Sequence, residues 1–205
     1  NANWSRWTAP RTPLRRAVVR KEAGYVDTAE ANYNCDTTGD IVLLNTVAQG
    51  ASVNQRIGKK WTMKHLQCRG SVYADSTASY NDCAILIVYD RRPDGNLPAV
   101  TDVLVTASSH AFNNTQNQGR FQILKRMDFT MCGAAAASGS TESSVVNADF
   151  FFDLKGKQVV NKAAGTGAIG DIEEGALYLI TVGNKTAGIT AALAQLAFRL
   201  RYFDQ

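Results

Sequence analysis

From Val18 onward, β-branched and aromatic residues gather into short runs separated by clusters of Gly, Asn, Asp and Ser. That spacing leaves little room for long helices and predicts strands joined by turns. Eight strands are expected, near residues 22–33, 40–47, 60–74, 82–91, 120–132, 144–154, 175–183 and 190–204. In Phe121, Ile123, Met127, Phe129 and Met131, apolar positions are interleaved with Gln122, Arg126, Asp128 and Thr130, so this segment should have one wet face. Cys83-Ala84-Ile85-Leu86-Ile87-Val88-Tyr89 is apolar throughout, as a strand covered on both faces would be. It ends in Asp90-Arg91-Arg92-Pro93-Asp94-Gly95, where proline presets φ and glycine permits the reversal of a turn. The last segment is open to two readings: Leu193, Leu196, Leu200 and Phe203 fit a helical stripe, whereas Ala194, Leu196, Phe198, Leu200 and Tyr202 fit a strand. The connections near 94–118 and 133–143 exceed hairpin lengths, and in an assembling protein they would meet neighbours.

Eight strands in two sheets must protect their edges, and the jelly roll is the standard eight-strand answer; immunoglobulin sandwiches are smaller. The fold expected is therefore an all-β, eight-stranded single jelly-roll sandwich. A chain of 205 residues, 45% apolar, suits one core. Its longest apolar runs are too short to cross a bilayer, so a soluble chain without membrane insertion is expected. The opening residues, from Asn1, contain arginines and tryptophans but no apolar core of a signal peptide.

Charge divides the chain where hydropathy does not. Arg6, Arg11, Arg15, Arg16, Arg20 and Lys21 precede the first acid, Glu22, and the rest carries sixteen cations against eighteen acids. Pro10 and Pro13 disfavour a regular ladder before about residue 17. The expected division is a basic arm over 1–21 and a β sandwich over 22–205. A basic arm on a nearly neutral body suits a polyanion on one side and protein on the other, although a solvated tail or a localisation signal has the same composition. Trp4 and Trp7 stand among the arginines, where they could stack on bases of a single strand or pack on protein. Arg199, Arg201, Lys125 and Arg126 alternate with apolar neighbours and could extend the basic surface.

Catalytic chemistry finds little to build on. Gly165-Thr166-Gly167-Ala168-Ile169-Gly170 matches the glycine pattern of dinucleotide sites, but Asp171, Glu173 and Glu174 crowd the phosphate position and Gly175 interrupts any helix. A flexible loop is expected there, and the three acids are expected to form a solvated turn instead of a calcium site. His65 and His110 are the two histidines, too few for a histidine metal cluster, and no Gly-x-Ser-x-Gly occurs. Cys35, Cys68, Cys83 and Cys132 show no metal spacing and are expected to be scattered buried thiols. No catalytic residue, metal or cofactor is expected. Besides a structural role, a jelly-roll lectin or cupin-like binding module and an enzyme using dispersed carboxylates stay open.

Several segments together resemble one family. They are Arg56-Ile57-Gly58-Lys59-Lys60-Trp61 with the strand to Val72-Tyr73, Ile85-Leu86-Ile87-Val88-Tyr89-Asp90-Arg91-Arg92-Pro93-Asp94-Gly95, Arg120-Phe121-Gln122-Ile123-Leu124-Lys125-Arg126, and Phe198-Arg199-Leu200-Arg201-Tyr202-Phe203-Asp204. In order and spacing they resemble the coat proteins of geminiviruses and related viruses with circular single-stranded DNA. The resemblance covers residues 54–132 and the last twelve. It implies a jelly roll, a last segment that is a strand, and a sixty-copy icosahedral (T=1) shell or a twinned derivative. It further implies single-stranded DNA packaged by the basic arm, with residence in the virion and, during assembly, the host nucleus. The short arm and the Ala-Gly-Ser-rich stretches at 133–143 and 163–170 depart from the family pattern.

Overall fold

The computed structural model describes residues 23–133, 144–162, 165–187 and 191–204. Within them the chain forms strands β1 (Ala23–Cys35), β2 (Asp40–Leu43), β3 (Lys60–Tyr73), β4 (Tyr80–Asp90), β5 (Phe121–Cys132), β6 (Val145–Asn147), β7 (Phe150–Asn161), β8 (Ile172–Glu174), β9 (Ala176–Gly183) and β10 (Ala192–Asp204). A single helical turn, α1 (Val100–Val103), interrupts the long connection between β4 and β5.

The pairing is nested: β1 runs antiparallel to β10, β2 to β9, β3 to β7 and β4 to β5. The two halves of the chain thus form one long hairpin. Cross-pairing of β10 with β3 and of β9 with β4 rolls that hairpin into two sheets, ordered β1-β10-β3-β7-β8 and β2-β9-β4-β5, with β6 added beside β3. This is the jelly roll. Each of the eight segments expected from the sequence holds a strand, but the described residues form ten, because the 144–154 segment divides into β6 and β7 and the three-residue β8 is additional.

Where boundaries differ from expectation, side chains are responsible. The segment expected at 144–154 divides because the Asn147 side chain accepts the Asp149 N–H at 2.7 Å, a local turn that competes with the ladder. The next strand then continues past 154 to Asn161, absorbing Lys155 and Gly156 (φ 53° and 69°) as an irregularity opposite Met63 and His65. β2 stops at Leu43, short of 47, because Asn45 takes over from the backbone: its amide donates to Gly175 O at 3.0 Å and accepts from Leu177 N at 3.0 Å.

The ambiguous C-terminal segment is a strand. Ala192, Ala194, Leu196, Phe198, Leu200 and Tyr202 are all buried, and neighbours on both sides, β1 and β3, satisfy the backbone of β10. Each large aliphatic or aromatic side chain so buried contributes about 1.5–3 kcal/mol. At the end of the barrel Trp61 donates to Asn161 Oδ1 at 2.7 Å and meets Tyr202 edge-on at 5.0 Å, and Tyr89 donates across the sheets to Gln158 O at 2.8 Å.

β4 is buried on both faces, as its apolar run required. One face meets the six-stranded sheet. The other lies under the 91–120 connection, whose Val100, Val103, Leu104 and Ala111 are buried. The connection is thus a third layer over much of its length, not a free surface loop.

β5 departs from the single wet face expected of it. Its pairing with β4 shifts between Ile87 and Val88, leaving Leu124 with no residue opposite. Phe121 and Ile123 therefore share the outward face of Asp90 and Val88, whereas Met127, Phe129 and Met131 share the inward face of Ile85, Cys83 and Asn81.

Candidate functional site

Arg6, Arg11, Arg15, Arg16, Arg20 and Lys21 lie outside the described residues. The described body starts at Ala23, paired with Phe203 on β1, the edge strand of the larger sheet.

Next to that entry lies the exposed face of the same sheet, where strand alternation lines up Tyr25, Arg201, His65 and Asp153 in one row and Asp27, Arg199, Gln67 and Phe151 in the next. Arg199 grips Asp27 with two hydrogen bonds of 2.7 Å and lies 5.0 Å over the Tyr25 ring. The guanidinium lowers the Asp27 carboxyl from its ordinary value. His65 stacks at 4.9 Å on Phe151, with Nδ1 3.8 Å from Asp153 Oδ1. A depression of about 350 Å³ opens between Asp27, Gln67, Arg69 and Arg199. Among the described residues no acid pairs with Arg69 or Arg201.

The four body cations singled out in the sequence do not form one surface. Arg199 and Arg201 share the face just described. Lys125 instead faces inward, its Nζ 5.2 Å over the Phe150 ring. Arg126 turns outward from the smaller sheet, where it donates to Ala111 O at 2.8 Å, Ser109 O at 2.5 Å and Asp128 at 2.9 Å. The bulge at Leu124 and the division of β5 and β10 between sheets separate them. Arg69, Tyr25 and Phe151 escaped the sequence reading; the signal for Arg69 was its alternation with buried Leu66, Cys68 and Val72.

Asp90, which opens the Asp-Arg-Arg-Pro-Asp-Gly segment, is fully buried, and Arg120 closes the connection onto it with Nε and terminal contacts of 2.9–3.1 Å. A further Arg120 nitrogen reaches Asp94 at 3.3 Å. The Asn96 N–H and then Arg120 hold the Asp94 carboxyl below its ordinary value, and burial pushes the Tyr178 phenol, 3.5 Å from Asp90, upward. These groups fasten a loop; they do not converge on a vacant pocket.

The Gly165–Gly170 segment opens no helix. It ends in a 3₁₀ turn at Ile169–Asp171, and the Asp171 carboxylate accepts from Thr166 N at 2.9 Å and Gly167 N at 3.2 Å, the amides that a phosphate would need. His110 Nε2 lies 3.2 Å from Asp82 Oδ2, joining a loop to the start of β4, and its backbone N donates to the Ser108 hydroxyl at 3.4 Å. Cys35, Cys68 and Cys83 are buried, the Cys68 thiol being pushed up to about 12 by burial and then by Asp149; Cys132, expected to be buried, is exposed at the end of β5.

The geometry is thus a jelly roll with braced loops. A family model, the geminivirus coat protein/nuclear export factor BR1 family, matches residues 1–204. The chain belongs to that family. Among its relatives, the capsid protein of Miscanthus streak virus (isolate 91) is 27% identical over 187 residues, 82% of this chain and 73% of the relative. The capsid protein of Tomato yellow leaf curl virus (strain Israel) is 27% identical over 121 residues, 55% of this chain. The match spans about half the length of that second relative, 46%. Among solved structures, Desmodium yellow mottle tymovirus aligns with all of this chain and 96% of its own at a TM-score of 0.33 and 11% identity. At that score the fold assignment rests on the nested strand order instead. Membership of a coat-protein family supports a structural, capsid role for this chain.

Proposed function

We propose that the chain self-assembles into an icosahedral shell, of sixty copies or a twinned derivative, and packages single-stranded DNA through Arg6, Arg11, Arg15, Arg16, Arg20 and Lys21. The observation that carries this reading is the segregation of charge on a coat-family jelly roll. Six cations precede the first acid, while the described body holds sixteen cations and sixteen acids. Copies of a neutral body approach without net repulsion, and arms repeated around a shell make a dense positive lining for phosphates, bound without sequence preference. The reading places the protein in the virion and, during assembly, in the host nucleus, and gives it no enzymatic step.

Electron microscopy and light scattering of the purified full chain test assembly. Particles are expected; a small oligomer at all concentrations, pH values and salt levels would favour the lectin or cupin-like reading. Replacing Arg11, Arg15, Arg16, Arg20 and Lys21 together should leave the fold intact by circular dichroism and lower the 260/280 nm absorbance ratio of the particles. An unchanged ratio would remove the arm from packaging.

A further inference from the structure

The 91–120 connection carries an exposed aromatic side chain on an unusually well-fixed backbone. Phe112 is 85% exposed, the largest value among the large apolar side chains of the described residues, with Val105 at 59% and Leu97 at 47% on the same connection. Yet Val105 N donates to Phe112 O at 2.9 Å, Leu104 bridges Asn113, and Asn114 N donates to Val103 O at 2.8 Å. Buried Ala111 directly precedes Phe112, buried Leu104 sits across the bridge at Asn113, and Arg126 holds the carbonyls of Ser109 and Ala111. With the backbone held this way, covering the ring costs little backbone freedom.

Beside it is a hollow of about 140 Å³, lined by Val103, Asn114, Thr115, Gln118, Phe121 and Ile123. The bulge at Leu124 turns Phe121 and Ile123 toward this side of the sheet. A cavity of about 150 Å³ is large enough for a benzene ring. A projecting ring therefore adjoins a hollow of mixed apolar and polar lining, to which Asn113 next to Phe112 also belongs, and a two-fold axis between two copies would exchange them reciprocally.

We propose that this face is a two-fold contact between copies of the chain, in which Phe112 of each enters the hollow at Val103, Phe121 and Ile123 of the other. The contact deepens the coat-protein reading and rests on it. A second copy is the occupant because ring and hollow belong to the same chain and because the described body has no net charge to keep copies apart.

Two measurements on the full chain test the contact. In a Cys132→Ser background, Phe112→Cys and Gln118→Cys proteins are mixed with glutathione disulfide, which takes up the two thiol hydrogens as glutathione while the new S–S bond forms. A mixed dimer on a non-reducing gel, at least about tenfold above either protein alone, is expected. Phe112→Ser, with an unchanged far-ultraviolet spectrum, should raise the protein concentration at which particles appear about tenfold. If wild-type particles form while Phe112→Ser assembles at the same concentration and no mixed dimer appears, the contact is wrong and the coat reading stands. If the wild-type chain forms no particles, the coat reading falls, and the cross-link alone decides whether the face pairs.

Discussion

Arg120 and Asp90 are thirty positions apart and form one unit: the guanidinium closes on a carboxylate with no solvent exposure, at 2.9 Å and 3.1 Å, and thereby ties the end of the β4–β5 connection to its beginning. Removing Arg120 leaves the buried Asp90 charge with the Arg92 N–H at 3.0 Å and the Tyr178 hydroxyl at 3.5 Å but without its cation. Arg120→Ala should therefore cost about 3–5 kcal/mol of folding stability, read as a lower urea midpoint. A loss under about 1 kcal/mol would mean that water reaches Asp90 and the connection is looser than its contacts indicate.

Acid should act on the exposed sheet face through Asp27. Arg199 lowers the folded-state value of this carboxyl below 3.8. A depressed carboxyl contributes stability above its unfolded value that is lost as pH falls through the folded one. Because both groups are exposed, solvent screens the pair and the contribution is small. In urea titrations from pH 7 down to about pH 3, Asp27→Asn should be slightly weaker than wild type at neutral pH, and the difference should close below about pH 4. A difference that persists in acid would show that hydrogen bonding without charge holds Arg199.

Thiol chemistry should separate the cysteines by position. Cys132 is exposed, whereas Cys35, Cys68 and Cys83 are buried. Burial pushes the Cys68 thiol up to about 12, and the Cys35 hydrogen bond with burial raises Cys83 further, so neither supplies thiolate at neutral pH. A maleimide reagent should label one thiol per folded, unassembled chain quickly and the other three on denaturation, as mass spectrometry can count. Rapid labelling of two or more thiols would contradict the burial of Cys35, Cys68 and Cys83.

The arm should show itself in salt dependence. Six cations neutralising a single strand give a log–log slope of affinity against salt of about −4. Fluorescence anisotropy of a labelled oligonucleotide with the full chain should find this slope, reduced in proportion when Arg15, Arg16 and Arg20 are replaced. A slope near zero would mean that the arm does not meet phosphate.

Much of this protein was legible without coordinates, wherever one physical rule governed a position. The all-apolar run at Cys83–Tyr89 demanded cover on both faces, and it has it. Turn chemistry after Asp90 ended β4 where expected. The C-terminal segment was undecidable locally, because Leu196 and Leu200 satisfy a helical and a strand period alike. Only β1 and β3, more than a hundred residues distant from it, made β10 a strand.

Local pattern along the chain determined which segments are strands and where charge collects, because period, turn propensity and side-chain charge act between near neighbours. Tertiary structure decided which face each side chain serves. The bulge at Leu124 parted Phe121 from Met127, Arg126 went to the loop and Lys125 to the interior, and the 91–120 connection came to cover β4 with Phe112 left outside. Those choices depend on partners brought together by the nested hairpin, and one residue of register is enough to reverse them.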